Sequence, residues 1–138
     1  MTTESRLSMP IGDVMFTQRA IRRLKPDPIP ENDLIDILEA AIRAPSGGNS
    51  QPWHFLVIRE SELREQFAPL YREAWWEKRK AEGINGPEDI PPGKGWPRPA
   101  MHLADEIGQA PVIILVCATT KGSGPAASVI PATQNLLL

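Results

Sequence analysis

Apolar residues recur three and four positions apart at Leu34, Ile35, Leu38, Ala41 and Ile42. That spacing places them on one face and predicts an amphipathic helix. Pro30 suits its first turn, where no N–H hydrogen bond is needed, and Pro45 stops it. Glu31 and Asp33 at its start and Arg43 at its end match the helix dipole. A second stripe, Leu63, Phe67, Leu70 and Ala74, predicts a long helix over 61–82, which Pro69 is expected to kink or split. Shorter helices are expected over 12–18 and 100–109. The run 54–59 (HFLVIR) predicts a buried strand. The run 111–118 (PVIILVCA) is apolar throughout, as in a strand covered on both faces. A loop over 119–127 then leads to a last helix opened by Ser128 and still running at Leu138.

Between the long helix and the next, residues 83–99 hold nine Gly or Pro in seventeen positions, which predicts a loop without regular structure. No repeat and no internal boundary is visible, so a single domain over 1–138 is expected. Two strands make a marginal core. The last helix also ends on three leucines with no glycine cap and no basic last turn. The chain is therefore expected to be the first part of a larger domain.

With 138 residues, 41% hydrophobic and 23% charged, the composition supports one folded core and excludes wholesale disorder. A net charge of -2 argues against a protein that coats nucleic acid. No apolar run approaches the ~20 residues of a membrane span, and residues 1–12 lack the hydrophobic stretch of a secretory signal. A cytoplasmic protein is expected, with no membrane and no nucleic-acid partner. A single cysteine, Cys117, excludes an internal disulfide and a cysteine-based zinc site; inside its apolar strand it reads as an inert core thiol. The 15 prolines are about twice the usual ~5% share, and they punctuate the chain.

Few residues offer chemistry. Arg19, Arg22, Arg23 and Lys25 form a basic run beside a proline-braced connection. Arg19 and Arg22, three apart, could grip a phosphate through their guanidinium forks; a solvated basic turn fits as well. In the stretch APSGGNSQPW (44–53), glycines would let the backbone approach a ligand. The amides of Asn49 and Gln51 could pair with a heterocycle, and an ordinary helix-to-strand connector fits equally. The G-x-G-x-x-A match at 122–127 is a poor dinucleotide fingerprint, because it stands off the strand, contains Pro125 and lacks a following acidic residue. Lys94 lacks the glycine and the Ser/Thr of a P-loop. His54 and His102 have no third ligand nearby and read as packing or surface residues; no nucleophile elbow is present. Tyr71, Trp75, Trp76 and Trp96 could lid a pocket, meet a subunit, or pack the long loop onto the body.

The order of these pieces resembles the nitroreductase family of flavoproteins. The resemblance rests on RAIRRLKPDPIP, then EAAIRAPSGGNSQPWHF, then the strand APVIILVCA and the helix PATQNLLL. It spans 17–138 with a divergent stretch at about 68–100. It implies an α+β fold, a mixed sheet flanked by helices, that is incomplete in this chain, and an intertwined homodimer binding FMN at the interface. The contacts it implies to the FMN phosphate and ribityl chain fall on Gln18, Arg19, Ala20 and Arg22; many members carry serine where Ala20 stands. Pro45, Ser46 and Asn49 would approach the flavin ring, and Gln134 and Asn135 lie on a helix that helps build the site. The implied activity moves two electrons by a ping-pong route from NAD(P)H to a small acceptor, a nitroaromatic, quinone or activated alkene. No metal and no acid or base side chain is required. Residues 70–99 differ from the simplest members, so the flavin-fragmenting or reductively dehalogenating branch is an alternative. A non-catalytic truncated remnant is another.

Overall fold

The computed structural model describes residues 8–93 and 95–138. Most of the N-terminal stretch read for a secretory signal, and Lys94, lie outside the described residues. Along the chain come α1 (Ile11–Thr17), α2 (Glu31–Ile42), β1 (Trp53–Ile58), α3 (Ser61–Ala81), α4 (Pro97–Glu106), β2 (Ile113–Ala118) and α5 (Ser123–Leu137). Their contacts group into two compact units, one of residues 8–20, 29–56 and 114–138 and the other of 21–28 and 57–113.

In the first unit α2 packs on α5. The seam is made by small and medium residues: Ala41 and Ala132 are both fully buried and Leu34 nearly so. Small side chains at a crossing let two helices approach closely. Asn135 adds a directional tie, its Nδ2 donating to the carbonyl of Ala40 at 3.1 Å. The strands β1 and β2 pair as a two-stranded sheet. Thr119, just past the end of β2, donates its N–H to the carbonyl of Pro52, just before β1, at 2.9 Å, so the pairing is antiparallel. Neither strand is wholly covered by the described residues; Ile113 is buried and Ala118 exposed.

The second unit is α3 against α4 and the 3-10 turn Ile107–Gln109 that follows it. Arg64 on α3 donates to the carbonyls of Gly108 and Ala110, satisfying acceptors that the end of a helix leaves open. Arg79 is only 5% exposed. Its guanidinium lies over the rings of Trp75 (5.5 Å) and Trp96 (4.9 Å) and pairs with Glu82 at 2.9 Å. Within the Pro/Gly-rich stretch, Ile90 and Pro97 are the bulkiest fully buried side chains among the described residues.

Three local expectations are corrected. Pro69 does not split α3, which runs unbroken over 21 residues. Proline removes one helical N–H, and here both Pro69 and Glu65, whose carbonyl loses that bond, are exposed to water. The last helix opens at Ser123 rather than Ser128. Pro125 sits in its first turn, where a missing N–H costs nothing. The Pro/Gly-rich stretch 83–99 is not all loop: it holds the 3-10 turn Pro87–Asp89, and Pro97 begins α4.

Candidate functional site

The segment between α2 and β1 is built to hold an unusual backbone. After Pro45, Ser46 is extended (φ -139°, ψ 147°) and a single 3-10 turn, Gly47–Asn49, follows. Gly48 (φ 61°), Asn49 (φ 54°) and Gln51 (φ 46°) are all left-handed. Glycine adopts that region freely and asparagine tolerates it, but for glutamine it is strained. The loop's own bonds offset the strain. Asn49 N–H donates to the Ser46 carbonyl (3.0 Å) and Ser50 N–H to the Gly47 carbonyl (3.1 Å). Gln51 N–H reaches Ser46 Oγ at 3.0 Å, and Gln51 Nε2 reaches Asn49 Oδ1 at 3.1 Å. Ser46 and Asn49 are therefore joined through Gln51, a residue the implied contacts did not include. Strained backbone held by its surroundings is a mark of functional loops.

The rest of the first unit's set lies on α5 and at the end of α1. Gln18 follows α1 directly, its N–H bonded to the Val14 carbonyl. Its Oε1 accepts from Gln134 Nε2 at 3.4 Å, so the structure brings Gln18 and Gln134 together. Arg19 is exposed and folds its Nη1 back onto the carbonyls of Phe16 (3.1 Å) and Gln18 (2.7 Å). Ala20 is exposed. Arg22 belongs to the second unit, half-buried, and lines a cavity of about 10 Å³ with Leu24, Leu103, Glu106 and Gln109. Glu106 also holds His102, Nε2 to carboxylate 2.8 Å.

A planar, negatively charged cofactor fits the first-unit residues. No atom lies within 4 Å of the place where a Cβ on Gly47 or Gly48 would stand, so that backbone is open to a flat ring. The exposed Arg19 guanidinium supplies charge of the sign a phosphate needs. Among the described residues no cluster of His, Cys, Asp and Glu could hold a metal ion. None of the described helices is long and apolar enough to cross a membrane.

Residues 16–138 match the model of the nitroreductase family, and the chain belongs to that family. An NADH dehydrogenase from Thermus thermophilus is 56% identical over 43 residues, 31% of this chain and 21% of that protein. An iodotyrosine deiodinase from Thermotoga neapolitana is 35% identical over 74 residues, 54% of this chain and 39% of that protein. Among solved structures, oxidized iodotyrosine deiodinase bound to FMN and 3-iodo-L-tyrosine shares the fold with a TM-score of 0.71 at 29% identity; the match covers 91% of this chain and 66% of that one. The chain thus spans well under half the length of the curated relatives it matches. The α+β nitroreductase-like fold expected from the sequence is the fold of the chain.

Proposed function

We propose that this protein is an FMN-dependent oxidoreductase that takes two electrons from NAD(P)H and passes them to a small acceptor such as a nitroaromatic, quinone or activated alkene. The observation that carries this reading is the loop from Ser46 to Gln51, with left-handed backbone at Gly48, Asn49 and Gln51 and an open glycine face. Arg19 would balance the phosphate, with Gln18 and Ala20 beside it, and Pro45, Ser46 and Asn49 would orient the ring. When bound, FMN supplies the acceptance and release of hydride. The chain's own residues would bind and orient it.

The test is spectroscopic. The purified chain is mixed with FMN, freed of excess and scanned in the visible. Retained flavin, bleached by NADH or NADPH and restored by an acceptor, is the expected result. A chain folded by circular dichroism that keeps no flavin overturns the reading. Exposed apolar side chains at Ile11, Met15 and Phe16 on α1 and Ile130 and Leu137 on α5 support the homodimer expected from the resemblance. Light scattering on the same sample measures it.

A second reading is reductive removal of halide from a halogenated phenol. It is favoured by the likeness to the deiodinase structure, which has a TM-score of 0.71 and 29% identity. Halide release from iodotyrosine under reduction, without NAD(P)H-driven turnover of nitroaromatics, would select this reading over the first.

A further inference from the structure

On α5, Ser128, Ala132 and Asn135 follow at spacings of four and three and so share one stripe of the helix. Ala132 packs at the α2 seam, and Ser128 is a buried polar side chain at 6% exposure. The Ser128 hydroxyl has two partners. It lies 3.4 Å from the Gly124 carbonyl, one turn back, and 3.2 Å from the amide nitrogen of Gly47. A hydroxyl has one proton and two lone pairs. The carbonyl can only accept, so it takes the proton, and Oγ accepts from Gly47 N–H. This bond is separate from those the loop makes internally, which use the amides of Asn49, Ser50 and Gln51. It therefore fixes the Ser46–Gly47 peptide from outside, immediately before the left-handed Gly48. Two turns along the same stripe, Asn135 holds the Ala40 carbonyl in the last turn of α2, which feeds the loop.

We infer that Ser128 is a positioning residue of the candidate cofactor site: its buried hydroxyl sets the peptide from which Ser46 and Asn49 are aimed. The bond itself stands on the structure alone, and its consequence for FMN rests on the oxidoreductase reading above. Neither Pro45 nor the loop's internal bonds can substitute for it, because none of them engages the Gly47 amide.

Two variants of the full chain separate bonding from packing. Ser128→Ala removes the acceptor, and Ser128→Cys keeps most of the volume while offering sulfur, a weak acceptor. Amide hydrogen exchange without cofactor comes first. Gly47 N–H should exchange at least about tenfold faster in both variants, with the helices unchanged by circular dichroism. Unchanged Gly47 exchange in the two variants overturns the inference, whatever the protein does with flavin. The second readout is FMN. Both variants should bind about tenfold more weakly, with a shifted flavin absorption band. Faster exchange with wild-type affinity and spectrum would overturn the positioning role and leave a purely structural bond. If the wild-type chain takes up no FMN, the oxidoreductase reading fails, while the exchange result still decides whether Ser128 holds the loop.

Discussion

The side-chain amide of Gln134 meets the side-chain oxygen of Gln18 at 3.4 Å, joining two residues 116 positions apart in the chain. The contact links α5 to the residue that closes α1 and opens the basic run. Its length and exposure make it a weak bond, worth at most about 1 kcal/mol. A double-mutant cycle with Gln18→Ala and Gln134→Ala should therefore give a small positive coupling in urea unfolding, and none if the two residues act independently.

Arg19→Ala should weaken FMN binding. A guanidinium on a phosphate contributes about 1.5–3 kcal/mol, roughly ten- to a hundredfold in affinity. Arg19 also donates to the carbonyls of Phe16 and Gln18 at the end of α1. Arg19→Lys separates the two roles, since it keeps the charge and loses the fork. Fluorescence quenching of FMN on titration measures both variants, and wild-type affinity in Arg19→Ala would remove Arg19 from the site.

Gly48→Ala tests the loop's backbone. The added Cβ would meet no atom within 4 Å, so only the left-handed φ of 61° opposes it. The expected cost is about 1–2 kcal/mol, with Gly48→Asn costing less because asparagine tolerates this region. Denaturant midpoints of the three proteins give the order. Equal stability of all three would mean that the loop relaxes to another conformation.

Arg79→Leu should destabilise the second unit by roughly 2 kcal/mol, because stacking on two indole rings is lost. The Glu82 partner is 43% exposed and contributes little to that figure. Arg79→Lys should recover only part of the loss, since an ammonium cannot lie flat on Trp75 and Trp96. Tryptophan emission, summed over Trp53, Trp75, Trp76 and Trp96, follows the unfolding of both variants.

The periodicity of residues 31–42, the stop at Pro45 and the apolar runs around Val57 and Ile114 were legible in the chain itself, because each depends on neighbours within one or two turns. So was the family, carried by motifs such as PSGGN followed by QPW. The limits of α5 and the continuity of α3 through Pro69 were not, since a proline's effect depends on whether the bond it deletes would have been made and whether water replaces it. Nothing in the sequence singles out Arg79, and only packing puts two tryptophans around it. Ser128 reads as a helix opener, and its bond to Gly47 spans 81 residues. Local sequence determined which segments are helical, extended or turning, through steric preference and burial of one face. Which polar groups meet was decided by the tertiary structure alone, because a buried amide takes whatever acceptor the fold brings within 3 Å or so, however distant in the chain.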